Sequence, residues 1–187
     1  MSVRRRCATT WTIAVLLGVA AAQAAPLPNA QRVISYSVVD QDLGDVLTGI
    51  GTQLGLRTEI SAHVHGQVHG RLPPATARKM LDRLASLYGF DWYCDDRTLF
   101  ISGYDEAVSK VLPLGPVDAD ELEQTLRQLG VSDDRWPVRI AQGSGVAEVD
   151  GPPHYAALVD QTLAALSQGA KAGVTVVHVF RGTAASQ

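Results

Sequence analysis

The chain has 187 residues, 46% of them hydrophobic, with 16 Lys and Arg against 19 Asp and Glu. Its first 24 residues hold three of those arginines and no acid, so residues 25–187 keep 13 basic and 19 acidic side chains, a net charge of −6. So acidic a chain lacks the basic face that nucleic-acid binding requires, and no nucleic-acid partner is expected.

Residues 1–24 read as a secretory signal peptide. Arg4-Arg5-Arg6 is followed by an apolar run from Trp11 to Ala22 and by the small-residue site Ala22-Gln23-Ala24. The run is too short to cross a bilayer comfortably. Cleavage is expected between Ala24 and Ala25. Cys7 precedes the apolar run, so it is no lipidation site. Cys94 is the one cysteine left after cleavage and has no partner for an internal disulfide. Beside Trp92 and Tyr93 it reads as a small residue filling a gap in a strand.

Residues 33–39, "VISYSVV", are β-branched and aromatic, with Ile34, Tyr36 and Val38 on one face, and predict a strand. Leu43, Val46, Leu47, Ile50 and Leu54 then recur at helical spacing, with Asp42 as N-cap and Gly55 as terminator. Short strands are expected at 56–60 and 64–72. Pro73-Pro74 is expected to stop the second of these and open a helix carrying Met80, Leu81, Leu84, Leu87 and Tyr88 on one side, ended by Gly89. "FDWYC" and "TLFI" flank Asp95-Asp96-Arg97 as a hairpin. Residues 103–117 read as a linker containing a short strand, "KVLPL". Asp118, with Glu121 three residues on, has the pattern of a capping box at the head of a helix whose Leu122, Leu126 and Leu129 face inward. Two strands surround Gly143-Ser144-Gly145. Pro152-Pro153 opens a helix with Tyr155, Leu158, Val159, Thr162, Leu163 and Leu166 at helical spacing, and "VTVVHVF", 174–180, reads as a terminal strand.

The fold class is therefore α+β, with two small α+β modules in tandem: a signal peptide at 1–24, a first module at 25–102, a linker at 103–117, a second module at 118–172, and a terminal strand and tail at 173–187. Neither module is large enough for a deep catalytic cleft, though each can bury a modest core.

The stretch "HVHGQVHG" holds three of the five histidines. In a strand, side chains alternate between faces, which puts Val64, Val68 and Leu72 inward and His63, His65 and His69 on the wet face. At ~3.3 Å per residue, His65 and His69 stand roughly 13 Å apart, too far to share an ion whose ligands sit at ~2 Å. No Cys or acidic pair nearby completes a site at a recognisable spacing. No metal and no cofactor are expected. The motifs G-x-S-x-G, H-E-x-x-H and the P-loop are absent from the sequence. Asp95-Asp96 and Asp133-Asp134 are explained by turn propensity, and Trp136 reads as a packing anchor. No catalytic residue is expected, and no enzymatic activity.

The stretch "VHGQVHGRLPPATARKMLDRLASLYGFDWYCDDRTLFISGY" resembles the periplasmic N-terminal region of type III secretion secretins. The valine–glycine strand at 64–72, the leucine-rich helix at 81–89, the Trp92–Asp96 segment and the aliphatic strand at 99–101 carry the resemblance. The upstream "SYSVVDQDLGDVLTGIGTQLGL" and the module at 111–168 continue it. The family implies a first domain of the short N-terminal type shared by secretins and TonB-dependent receptors, and a second, K-homology-like ring domain that here lacks the Gly-x-x-Gly clamp. Such domains stack as homo-oligomeric rings in the periplasm beneath an outer-membrane barrel, next to the inner-membrane ring components of the secretion system. In a complete secretin a strand like 174–180 leads into further ring and barrel domains, whereas this sequence runs to Gln187. The resemblance thus points to a split secretin of the rhizobial kind, with the barrel encoded separately. The terminal strand, through Val174, Val176, Val177, Val179 and Phe180, is the expected joint to that partner. The alternative is a free-standing signalling or ligand-binding module of the TonB-receptor type, which the second module disfavours.

Overall fold

The computed structural model describes residues 27–37, 40–141 and 143–172. The signal peptide, its cleavage site at Ala24 and Ala25, and the strand expected at 174–180 lie outside the described residues. β1 (Val33–Ser37) and the two-residue β2 (Gln41–Asp42) lead into α1 (Leu43–Leu54), which buries Leu43, Val46, Leu47, Ile50 and Leu54. These are the positions that the spacing predicts. The Asp42 carboxylate accepts the Gly44 N–H at 2.8 Å and caps the helix, supplying one of the acceptors that a helix start needs. Gly55 closes it in the left-handed conformation.

The strand expected over 64–72 is broken. β3 (Arg57–Ile60) is followed by a loop, then by β4 (Gln67–Val68) and β5 (Arg71–Thr76). The alternation of faces survives the break: Val64, Val68 and Leu72 are buried, while His63, His65 and His69 are exposed. Pro73 and Pro74 do not open a helix. They lie within β5, where the antiparallel register to β1 passes from Tyr36–Leu72 to Ile34–Ala75. Two residues of β5 thus oppose one of β1. This bulge leaves the prolines free of the ladder hydrogen bonds they cannot donate. The helix, α2 (Ala77–Tyr88), begins only after Thr76, whose hydroxyl accepts the Lys79 N–H. Met80, Leu81 and Leu84 are buried as expected, but Leu87 is 64% exposed. It lies at the rim of the apolar stripe rather than on it.

β6 (Phe90–Asp95) and β7 (Thr98–Gly103) form the expected hairpin. β3 adds parallel to β7, giving a three-stranded sheet in the order β3-β7-β6. One 3-10 turn, Tyr104–Glu106, follows. The strand expected inside 103–117 is β8 (Val108–Pro113), and it is part of the second sheet. α3 (Ala119–Gln128) comes next, with the Asp118 carboxylate accepting the Asp120 N–H at 2.9 Å. β9 (Arg139–Ala141) and β10 (Val146–Gly151) surround the Gly143–Gly145 turn, and α4 (Pro153–Ala172) starts on its second proline, where a missing N–H costs nothing. The second sheet, in the order β8-β10-β9, is antiparallel throughout. Leu129 is not inward as its spacing suggests; it is 61% exposed. The helix ends one residue before it, and Val131 takes the buried place instead.

Two apolar cores result. The first gathers α1, α2 and the inner face of β3-β7-β6 around Leu47, Ile50, Leu84, Phe90, Leu99 and Ile101. The second gathers α3, α4 and β10 around Leu122, Leu126, Val149, Tyr155 and Val159. Tyr93 sits on β6 of the first module yet belongs to the second core. Leu84 is fully buried, so Leu84→Ala is expected to lower the unfolding free energy by about 2–5 kcal/mol, read as a shift in a urea-denaturation midpoint.

Candidate functional site

Two of the three exposed histidines, His63 and His69, are held by carboxylates. His69 Nδ1 lies 2.6 Å from Asp40 Oδ1, and His63 Nδ1 lies 2.8 Å from Asp105 Oδ2. The second pair is the more elaborate. Glu106 accepts the Ser61 hydroxyl at 2.8 Å and the Gly103 N–H at 2.7 Å, and one ligand atom from each of His63, Asp105 and Glu106 falls within 4.8 Å of the others. The absence of a nearby acidic pair, expected from the sequence, is therefore corrected. Asp105 and Glu106 are more than forty positions away along the chain and arrive through the turn that follows β7. Both Glu106 oxygens are already accepting hydrogen bonds, and the arrangement pins the Ser61–His63 loop to that turn.

The hydrogen bond from Asp105, and the charge behind it, hold His63 above the usual histidine range; the same bond holds Asp105 below the usual carboxylate range. A raised histidine value means that the pair contributes at pH below the ordinary histidine value and fades as pH rises through the raised one. Following the His63 ring protons by NMR is expected to show titration above that of a free histidine. In Asp105→Asn the midpoint should fall back toward the unperturbed value.

The other concentration of polar and aromatic groups is the seam between the two modules. On β6, Phe90, Trp92 and Cys94 point into the first core, and burial pushes the Cys94 thiol up to about 12. Tyr93 points the other way. Its hydroxyl donates to the Val131 carbonyl at 3.2 Å, its ring lies 5.5 Å from that of Tyr155, and burial drives its phenol far above the usual range. On β7, Phe100 stacks on His154 with centroids 3.5 Å apart and planes 15° from parallel, and His154 Nε2 lies 3.3 Å from Asp95 Oδ2.

At the edge of the sheet the Arg135 guanidinium stands 3.7 Å from the Trp92 ring and 4.1 Å from the Trp136 ring. Asp133 holds it by two parallel bonds, at 3.0 Å from Nε and 2.7 Å from Nη2. Burial alone would raise the Asp133 carboxyl, but the Arg135 bonds and charge outweigh it and hold the group below its ordinary value. Asp133 is thus more than a turn former. Trp136 does act as a packing anchor, with its indole over Gly151. At φ 152° that residue favours glycine, and an added Cβ would meet Trp136 Cγ at 2.9 Å. A cleft of about 460 Å³ runs along the seam, lined by Tyr93, Asp95, Arg97, Leu129, Val131 and Leu158.

Sequence reasoning passed over Tyr93, Phe100, Arg135 and His154. The available clue was "WYC": three consecutive large or apolar residues in a strand are the pattern of burial on both faces, not of a half-solvated hairpin. The interface residues expected at Val174, Val176, Val177, Val179 and Phe180 lie outside the described residues.

No family model matches the chain. It is 41% identical over 147 residues to the nodulation protein NolW of Rhizobium fredii, covering 79% of this chain and 62% of that protein. It is 32% identical over 158 residues to the type 3 secretion system secretin of Ralstonia nicotianae, covering 84% of this chain and 28% of that one. The fold matches a chain in the atomic model of the Salmonella SPI-1 type III secretion injectisome basal body proteins InvG, PrgH and PrgK, with a TM-score of 0.67 at 21% identity over 73% of this chain. The tandem modules match secretin N-terminal domains in fold. The chain is homologous to NolW and to the N-terminal part of type 3 secretion system secretins. It spans 62% of the length of the first and 28% of the second.

Proposed function

We propose that this chain is the periplasmic N-terminal subunit of the outer-membrane secretin channel of a type III protein secretion system, built into rings beneath a separately encoded barrel. The observation that carries this reading is the 41% identity to NolW. The two-module fold, shared with a basal-body chain at a TM-score of 0.67, supports it. The role is structural rather than enzymatic. The support for this is that the matched relatives are secretins, a channel-forming family. Inner-membrane ring proteins are the proposed neighbours below, because PrgH and PrgK accompany InvG in the matching assembly. Among the described residues no helix is long and apolar enough to cross a membrane. Ring contacts between copies are of the repeated heterologous kind, each weak alone and closed by symmetry.

The domain division follows the same reading. Residues 25–102 form the first secretin N-terminal domain and 118–172 the second, with β8 as that domain's first strand although it precedes Asp118. Residues 173–187 form the joint. The apolar, β-branched Val174–Phe180 would add to a sheet edge of the barrel subunit, with main-chain pairing supplying the affinity.

Co-purification tests this. A chain lacking 174–187 is expected to keep both cores folded, by circular dichroism, and to lose capture of the barrel subunit; full capture would move the joint elsewhere. Export is tested separately. N-terminal sequencing of the protein recovered from the periplasm is expected to begin at Ala25, and retention of the full-length chain in the cytoplasm would contradict the location.

A further inference from the structure

Two domains joined in one chain ordinarily move against each other unless their interface is large and apolar. The seam in this protein differs in how its contacts are distributed. Tyr93, only 2% exposed, is inserted from the first module into the core of the second. Phe100, one strand over, stacks on His154 at the start of α4. A single contact leaves a pivot, but contacts spread over β6 and β7 oppose rotation about any one of them.

At the sheet edge stands Arg135. Its planar cation has one indole from each module against it, Trp92 at 3.7 Å and Trp136 at 4.1 Å. Each element of that sandwich is itself fixed. The Trp92 N–H donates to Asp82 on α2 at 3.0 Å. Asp133 sets the plane of the guanidinium by its two parallel bonds. Gly151 lets the Trp136 indole lie close against the backbone.

We propose that the two modules form one rigid body, clamped by Arg135 between Trp92 and Trp136. A guanidinium is suited to this position because it is planar, weakly hydrated and able to stack on an aromatic face while its edge pairs bidentately with a carboxylate. The electrostatic attraction of a ring face for a cation grows when water is excluded. A lysine ammonium would keep the charge and lose the plane.

If the chain is a ring subunit, an inference that rests on the function proposed above, the rings formed by its two modules turn and tilt together. The rigid-body claim itself does not need that reading, and it is tested on the isolated chain. Residual dipolar couplings and ¹⁵N relaxation of residues 25–187 are expected to give one alignment tensor and one correlation time for both modules. In Arg135→Lys that single tensor splits into two and each module tumbles faster, while the chemical shifts of Leu47 and Val159 stay in place. Arg139→Ala serves as control, since its partners Glu148 and Asp150 lie inside the second module; it keeps one tensor. Two tensors in the parent protein overturn the proposal. One unchanged tensor in Arg135→Lys removes Arg135 as the clamp. Loss of the Val159 signals from their folded positions in that variant would make Arg135 a support of the second core rather than a link, and overturns the proposal equally. Failure to capture a barrel subunit leaves all of these readings intact.

Discussion

The structure depends on a short sheet that must be covered on both sides. β6 and β7 send Phe90, Trp92, Leu99 and Ile101 into the core under α1 and α2, and Tyr93 and Phe100 to the opposite face. A phenol and a benzyl ring on an open face would leave a large apolar surface in water, at about 25 cal/mol for each Å². The second module covers that face. The Val131–Trp136 segment and the start of α4 lie against it, and the polar atoms trapped there are satisfied: the Tyr93 hydroxyl on Val131, the Tyr155 hydroxyl on Trp136, and Asp133 on Arg135.

This sharing follows from size. Each module has two main helices and a sheet of three strands at its centre, too little to bury a large fraction of its own surface. Supplying Tyr93 to the neighbour lets the second module complete a core that α3, α4 and three strands leave open on one side. The short connection through residues 104–107 favours the same outcome, because a brief linker keeps the two faces at high effective concentration. The relatives match over both modules, and the fold match covers 73% of this chain, so the pair is the unit of comparison rather than either half.

The histidine stretch illustrates the reach of local reasoning. Period-two alternation placed Val64, Val68 and Leu72 inward and the three histidines outward, and burial follows that pattern although the backbone is not one strand. The rule depends on which residues can leave water, and it survives an interruption of the ladder. Finding the partner of His63 required a different kind of information. Asp105 and Glu106 come into reach only because β7 runs parallel to β3 and its following turn folds back over the end of that strand.

Elements whose cause is local were legible from the chain alone: the apolar stripe of α1 with Asp42 ahead of it and Gly55 behind, the β6–β7 hairpin, and the second proline at the head of α4. The tandem α+β organisation and the family likeness were legible for the same reason, being carried by spacing within short windows. Other features were decided by tertiary structure. Pro73-Pro74 became a bulge within a strand because β1 was there to pair with it. Leu87 was left in water at the rim of its helix's apolar stripe, and Leu129 because α3 ends before it and Val131 takes the buried place. The Trp92–Arg135–Trp136 stack unites side chains more than forty positions apart. A sequence specifies how each segment prefers to fold and which face avoids water. Which two faces meet is settled only when all of them compete for the same limited contact.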